Sequence, residues 1–332
     1  MVLSQAKGHN ASHIMAQLSI TPTNRATLQK LGPFIALLVI AVGLSIVSHN
    51  FLTVDNLLNV MRQASINALI AFGMTLVILL GGIDLSAGSV LALSSVIIAS
   101  LLTSGMPAGL ATLAGLVAGG LMGLVNGLVI SKGKVAPFIA TLGSMTVLRG
   151  LALVLSNGSP LSSFNSDFFS LLGGGYVARL VPIPVVLMLV MFAIFWVLLR
   201  KTVFGRHIYA TGGNAESAKL SGVKVDRIQL YVYTISGVMA ALAGVVLTSR
   251  LNSAQPTAGT GYELDAIAAV VLGGTSLTGG RGWIFGTLVG ALLIGVLNNG
   301  LNLLDVSSFY QQVIKGGVIL LAVLIDRGNK KS

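Results

Sequence analysis

Long apolar stretches recur along the whole chain and are separated by short polar segments. Ten windows have the roughly 20 apolar residues that a helix needs to cross a bilayer core: 31–48, 62–80, 86–103, 108–130, 138–156, 182–200, 228–248, 262–277, 284–300 and 309–325. The window 262–277 starts with two acids and is broken by glycines at its end, and 284–300 ends in two asparagines. Either can be a half-helix or a re-entrant segment. The pattern predicts an all-α, polytopic membrane bundle of about ten transmembrane helices.

The composition supports a chain that meets lipid. Of the 332 residues, 54% are apolar and only 9% are charged, and the mean hydropathy is +0.91. A soluble domain is about one-quarter charged, so a soluble enzyme, a disordered chain and a fibrous repeat are excluded. The chain has no Cys, and its four His are not clustered. The sequence therefore predicts no metal site.

The few charges are unevenly distributed between the two ends of the predicted helices. Fourteen Lys and Arg lie in the N-terminal tail, the 131–137 loop, the 200–227 loop and the C-terminus, against three in the opposite loops. The positive-inside rule then places both termini in the cytoplasm. This assigns residues 1–30 and 328–332 to cytoplasmic tails and 31–327 to one transmembrane domain. It also accounts for the net charge of +11 without nucleic-acid binding.

Two similar glycine-rich strings lie 192 positions apart. Residues 80–89 read LGGIDLSAGS and residues 272–281 read LGGTSLTGGR. Glycine-interrupted segments in corresponding halves of a membrane chain are typical of a transport site near the midplane. The alternative is two ordinary tight turns between helices. We treat these residues of the strings as candidates for the translocation path: Gly81, Gly82, Asp84, Ser86, Gly273, Gly274, Thr275 and Ser276.

Polar and charged side chains inside the apolar windows are the other candidates. Asp84 can cap the helix of window 86–103, or it can line a substrate path. Asn67 and Asn126 can form hydrogen bonds between helices. Alternatively, together with other neutral polar groups, they can line a polar path for a polyol. Arg149 and Lys315 can extend toward the membrane surface, and we favour this reading for Lys315.

The 200–227 loop has the pattern of a short capped helix. Asn214 is a natural N-cap residue, Glu216 lies in the first turn, Lys219 lies near the end and Gly222 can stop the helix. We predict a helix of about two turns from Ala215 to Ser221. Such a helix favours docking into a partner's groove, and the alternative is a solvated loop whose charges only set the topology.

Motifs for chemistry on this chain are not evident. The string GLVISKGKV from Gly127 has one residue too many for a Walker A motif and Val135 in place of Ser or Thr. No Gly-rich dinucleotide fingerprint and no Ser/His/Asp arrangement occur. We therefore predict that the chain is not an enzyme. An ion-coupled secondary transporter is also disfavoured, because it would need paired acids or His within the spans, and only Asp84 qualifies.

Long strings of this sequence resemble the permease subunits of bacterial ABC sugar importers. The resemblance covers about residues 33–328 and is carried by GMTLVILLGGIDLSAGS (73–89), PFIATLGSMTVLRG (137–150), NGSP (157–160), GGNAESAKLSGV (212–223) and SAQPTAGTGYELDAIAAVVLGGTSLTGGRG (253–282). The branch that transports ribose is the most similar. Branches for galactose, arabinose, xylose and the furanosyl autoinducer share much of the pattern and remain alternatives.

The resemblance implies a type II-like importer half in the bacterial inner membrane that moves a monosaccharide, with D-ribose as the first candidate. It implies a homodimer, a cytoplasmic ABC ATPase subunit that binds ATP and Mg, and a periplasmic sugar-binding protein, with no cofactor on this chain. It also implies that the short loop helix seats in the ATPase and that the LGG breaks at 80–82 and 272–274 lie near the translocation path. The coupling residues would be Gly213, Asn214, Ala215, Glu216, Ser217, Ala218, Lys219 and Leu220.

Overall fold

The computed structural model describes residues 22–164 and 166–328, and these are mostly helical. The helices are α1 (Pro22–Val47), α2 (Val54–Leu79), α3 (Ala87–Thr103), α4 (Ala108–Ser131), α5 (Pro137–Leu155), α6 (Asp167–Gly174), α7 (Ile183–Lys201), α8 (Val203–Gly213), α9 (Ala215–Leu220), α10 (Val225–Leu251), α11 (Tyr262–Leu272), α12 (Ile284–Leu303) and α13 (Ser308–Gly328). The predicted tails, 1–30 and 328–332, fall largely outside the described residues, and α1 already begins at Pro22.

The predicted windows correspond to helices with one exception. Within the described chain, α2, α4, α5, α7, α10 and α12 are long and apolar enough to cross a membrane, and the apolar parts of α1 and α3 are shorter. The window 284–300 is a complete helix of 20 residues. The window 262–277 contains α11, a helix of 11 residues, which spans only about 16 Å and is therefore a half-helix.

Two of the long helices, α2 and α10, form the centre of the bundle. From Ala64 to Leu79, α2 is buried at every position except Asn67, and it packs against α10, α11 and α12. The Thr75 hydroxyl lies 2.8 Å from the Thr287 hydroxyl of α12 in this core. The outward faces of α1, α5, α7 and α13 carry exposed Leu, Ile, Val and Phe, as expected where helices meet lipid.

Four glycines at four-residue spacing form the face of α4 that is packed most closely. Gly115, Gly119, Gly123 and Gly127 are all buried. A Cβ on Gly123 would overlap the carbonyl oxygen of Tyr233 in α10, and one on Gly127 would lie 2.9 Å from the Cα of Leu230. Small residues at this spacing let two membrane helices approach closely. The α4–α10 contact, the most extensive between helices in the described chain, thus depends on the absence of side chains.

We expect Gly123→Ala to destabilise the folded protein by about 1–3 kcal/mol, because the added methyl group must push two backbones apart. Unfolding in mixed detergent measures this. Gly109→Ala is the matched control in the same helix, since a Cβ there meets nothing within 4 Å. Equal stability of the two variants would contradict the close-packing interpretation.

The two ends of the bundle can be distinguished by their connections. We call the end with residues 131–137 and 200–227 the basic end, and the other the opposite end. At the opposite end, β1 (Leu161–Ser162) pairs antiparallel with β4 (Ser253–Ala254), in the register Leu161 to Ala254 and Ser162 to Ser253. A second hairpin pairs β2 (Tyr176–Val177) with β3 (Val181–Pro182). These strands, helix α6 and helix α8 were not predicted from the sequence.

The chain from β4 to residue 283 runs from one end of the bundle to the other with only α11 as regular structure. Arg149 of α5 donates hydrogen bonds to the carbonyl oxygens of Pro256 and Ala258, at 2.8 and 2.7 Å. The segment then packs against α3 at Gly259, whose φ is +71°. After α11, the backbone N–H of Gly280 reaches the carbonyl oxygen of Leu79 at the basic end, 2.9 Å away.

A segment of turns followed by a half-helix therefore replaces a continuous transmembrane helix. Non-helical backbone at this depth needs partners from the protein, because lipid supplies none. The guanidinium group of Arg149 provides two of them. Arg149, which the sequence indicated can extend toward the membrane surface, thus binds partly buried backbone of this segment.

Candidate functional site

Asp84 is the centre of a buried hydrogen-bond network that joins the turn before α3 to α4 and α10. Its side chain is 2% exposed. Oδ1 accepts from the backbone N–H and the hydroxyl of Ser86, at 3.0 and 2.6 Å, and Oδ2 accepts from the Ser236 hydroxyl of α10 at 2.8 Å. The Asn126 amide of α4 donates to the Ser86 hydroxyl at 2.8 Å. Asp84 thus fixes the turn before α3 onto α4 and α10.

The N-cap position of α3 is occupied by Ser86 and not by Asp84. Asp84 accepts the backbone N–H of Ser86, which precedes the first helical residue, Ala87. This is an Asx-type turn that leads into the helix. The same geometry leaves both carboxylate oxygens occupied by hydroxyl and N–H donors.

The two LGG strings meet each other at the basic end. Gly81, with φ of +80°, faces the carbonyl of Thr278, and Gly279, with φ of +83°, faces the backbone of Gly81. Both residues adopt the left-handed conformation that glycine favours. The repeated strings therefore form two tight turns in mutual contact, from α2 to α3 and from α11 to α12.

A glycine of the 200–227 segment contacts both of these turns. A Cβ on Gly212, near the end of α8, would overlap the carbonyl oxygen of Leu79 and lie 2.7 Å from the backbone nitrogen of Gly280. A cavity of about 520 Å³ opens beside it, lined by Gly212, Gly213, Ser276, Thr278, Gly279, Gly280 and Arg281. The end of α8 thus rests directly on both LGG turns.

Tyr209 of α8 adds a side-chain connection to the same loop. Its hydroxyl donates to the carbonyl oxygen of Gly282 at 2.9 Å. Burial raises the pKa of Tyr209, partly offset by Arg200, so the hydroxyl remains a donor at neutral pH. Helix α8 therefore holds the α11–α12 connection by one backbone contact and one hydrogen bond.

The remaining path candidates lie in that connection. Gly273 packs on the backbone of Gly286, and its carbonyl oxygen accepts from the indole of Trp283 at 3.0 Å. Gly274 has φ of +87°. Thr275 is buried, and its hydroxyl has no hydrogen-bond partner among the described residues. The Ser276 hydroxyl lies 3.1 Å from that of Thr278.

Helix α9 confirms the predicted short helix: it runs from Ala215 to Leu220, one residue short of the predicted end at Ser221. Asn214 caps it, since its side chain accepts from the Ser217 N–H at 2.9 Å. Ala218 is 5% exposed, whereas Leu220 is 84% exposed. The helix ends before Gly222, whose φ is +88°. Glu216 lies in the first turn and Lys219 in the last turn, where their charges interact favourably with the helix macrodipole.

Asn67 lies apart from the LGG turns, in a second cavity of about 390 Å³. Lys315 lines the same cavity and is paired with Asp265 of α11, with Nζ 2.9 Å from Oδ2. The favoured expectation that Lys315 extends toward the surface is therefore wrong, because a buried acid four residues into α11 holds it. Among the described residues, no group of three or more His, Cys, Asp or Glu could hold a metal ion.

Comparison with known proteins places this architecture in a family. Residues 56–323 match the family described as "Branched-chain amino acid transport system / permease component". The chain belongs to this family of multi-pass membrane permeases, and it is the permease component of a transport system, not the ATPase subunit. No solved structure matches it.

Several curated proteins are similar over most of their length. The ribose import permease protein of Bacillus subtilis (strain 168) is 57% identical over 306 residues, which cover 92% of this chain and 94% of that protein. The ribose import permease protein of Escherichia coli (strain K12) is 52% identical over 310 residues, covering 92% and 96%. The D-allose transport system permease protein of the same strain is 42% identical over 295 residues, covering 89% and 90%.

Proposed function

We propose that this chain is the membrane permease of an ATP-driven importer that carries D-ribose across a bacterial inner membrane. The observation that carries the proposal is the 57% identity with a ribose import permease across 92% of the chain. The identity falls to 42% for the D-allose permease and to 40% for an L-arabinose permease of Azospirillum brasilense. D-ribose is therefore the first candidate, and other monosaccharides are the alternatives.

We further propose that two copies of the chain form the membrane unit, with both termini cytoplasmic. The basic end would face the cytoplasm under the positive-inside rule. The discontinuous crossing through α11 supports this, because it counts as one of ten crossings and keeps both termini on the same side. A cytoplasmic ATPase subunit would bind at the basic end and supply ATP and Mg, and a periplasmic sugar-binding protein would bind at the opposite end.

Transport in proteoliposomes tests the proposal. The chain is reconstituted with the ATPase and sugar-binding subunits of its transport system, and uptake of D-ribose, D-allose, L-arabinose and D-galactose is measured. We expect ATP-dependent uptake with D-ribose preferred. If another sugar is preferred, that sugar replaces D-ribose as the proposed substrate. Uptake driven by an ion gradient without the ATPase would overturn the importer assignment.

Helix α9 is the proposed contact with the ATPase. Leu220 is a large apolar side chain exposed to solvent at the end of this helix, as expected for a residue that a partner's groove covers. Ala218 instead faces the core of this chain, so a charge there would disturb the fold as well as the contact.

We expect Leu220→Asp to weaken co-purification of the ATPase by about tenfold, since loss of a buried apolar anchor costs on the order of 2 kcal/mol. Val203→Asp is the matched control, because Val203 is also an exposed apolar residue of the 200–227 loop, at 55% exposure. Membrane insertion of both variants should be normal. If Leu220→Asp retains the ATPase as well as Val203→Asp does, α9 does not dock in this way.

A further inference from the structure

A second cavity lies between five helices, away from the LGG turns and nearer the opposite end. Its volume is about 390 Å³, and residues of α2, α10, α11, α12 and α13 line it. Small-molecule sites typically have volumes of about 300–1,000 Å³. The half-helix α11 contributes Tyr262 and Asp265 to the wall, so the cavity adjoins the discontinuous crossing.

Carboxamide side chains dominate the polar lining of this cavity. They are Gln63, Asn67, Asn298, Asn302 and Gln311. Both amide atoms of Asn67 and the amide oxygen of Asn298 are buried and have no hydrogen-bond partner among the described residues. Buried polar atoms in folded proteins nearly always have partners, so these three atoms indicate a polar ligand. An amide offers two donors and an acceptor, which match the hydroxyl groups of a polyol.

The charged groups at the cavity are already engaged with protein partners. Lys315 is paired with Asp265 at 2.9 Å, and the Arg250 guanidinium donates to Asn59 Oδ1 at 2.8 Å. Asn302 accepts from Gln311 at 2.8 Å. The buried atoms that line the cavity without a partner thus belong to neutral amides. This favours an uncharged polyhydroxy ligand over an anion or a cation.

We propose that this cavity is a binding site for a neutral monosaccharide within the permease, with Asn67 and Asn298 as its hydrogen-bonding residues. The inference rests on the proposed function, since it assigns the transported sugar to this place. It also gives the permease a selectivity of its own, because a ligand without hydroxyl groups would leave the two buried amides unpaired.

Protection of a single cysteine tests the site. Gln63 lines the cavity one turn before Asn67 on α2 and is not one of the two proposed hydrogen-bonding residues. The chain has no Cys, so Gln63→Cys introduces its only thiol. We expect D-ribose to slow the reaction of this thiol with a water-soluble maleimide at least about fivefold in the reconstituted importer, an estimate for a site that the sugar fills in competition with the reagent. Ser307→Cys, in the exposed connection before α13, should react at the same rate with or without the sugar. Equal labelling of the Gln63→Cys thiol in both conditions would overturn the assignment.

Two adjacent asparagines provide a matched pair for transport. Asn298→Leu removes a cavity amide whose oxygen has no hydrogen-bond partner among the described residues, whereas Asn299→Leu breaks the pairing with Asn56, at 2.8 and 3.0 Å. We expect Asn298→Leu to lower D-ribose uptake about tenfold while its thermal stability stays normal. A tenfold loss is what the removal of one hydrogen bond to the sugar would cause. Asn299→Leu should lower stability and retain uptake per folded molecule.

The outcomes separate this inference from the proposed function. If the unsubstituted complex imports no D-ribose or other sugar, the proposed function fails. If it imports the sugar, and Asn298→Leu and Asn299→Leu do so equally well, only the cavity assignment fails. Loss of uptake confined to Asn298→Leu, together with protection of the Gln63→Cys thiol, supports the site.

Discussion

Gly212→Ala should abolish most ATP-driven sugar uptake while the protein still inserts and folds. A Cβ at this position would overlap the carbonyl oxygen of Leu79 and press on the backbone of Gly280. Backbone atoms cannot move aside as a side chain can, so α8 must separate from both LGG turns. Overpacking of this kind costs about 1–3 kcal/mol, and a loss of coupling of that size lowers uptake about tenfold or more.

Gly213→Ala is an unusually close control for this prediction. A Cβ on Gly213 would meet nothing within 4 Å, and both glycines lie in the last turn of α8. Alanine favours the helix at either position by up to about 1 kcal/mol. A loss seen only at Gly212 must therefore come from the contact with Leu79 and Gly280. Uptake and ATP hydrolysis by the two variants are measured in the same proteoliposomes, and equal activity would show that this contact does not transmit the ATPase cycle.

The parts of this structure that follow from local sequence rules could be predicted. Apolar windows of bilayer length give most of the helices, and the residues from Asn214 to Gly222 specify α9 and its cap without help from the rest of the chain. The half-helix could be anticipated only as an alternative, because Glu263 and Asp265 at its start indicate a break but not its length. The role of α9 at the ATPase stays a prediction.

The parts that depend on long-range contacts could not be predicted. Gly212 is one of 41 glycines, and nothing local distinguishes it from Gly213. The pairing of Lys315 with Asp265 joins residues 50 positions apart. Ser236 lies among the small residues of α10, and its bond to Asp84 spans 152 positions. In each case the signal is a single residue whose partner is fixed only by the packing of helices.

The two readings of Asp84, as a structural residue and as part of a transport path, lead to different behaviour. As a structural residue, it satisfies three donors: the Ser86 N–H, the Ser86 hydroxyl and the Ser236 hydroxyl. Those bonds tie the turn before α3 to α10. Ser236 lies eleven residues into α10, about 16 Å from the basic end of that helix, where no bulk water can replace a lost acceptor. A polar residue on a substrate path would instead keep an oxygen free for the ligand.

Asp84→Leu should therefore severely reduce the amount of folded protein. It leaves three buried donors without an acceptor, each costing about 1–3 kcal/mol, and we expect little protein in detergent-soluble, monodisperse form. Asp84→Asn keeps a carbonyl oxygen that can accept from Ser86, and the Ser236 hydroxyl can rotate to accept from the new amide. We expect this variant to fold and to retain most ATP-driven uptake. Size-exclusion profiles and uptake rates of the two variants provide the measurement.

The behaviour of Asp84→Asn also separates the ATP-driven importer from an ion-coupled transporter. In an ion-coupled protein the carboxylate must bind and release the coupling ion, so the amide would abolish uptake without loss of folding. In the importer, the amide performs the same structural task, because the proposed route of energy from the ATPase through α9 and Gly212 does not use this carboxylate. A well-folded Asp84→Asn protein with no uptake would therefore contradict the structural role of this carboxylate and reopen the question of what drives transport.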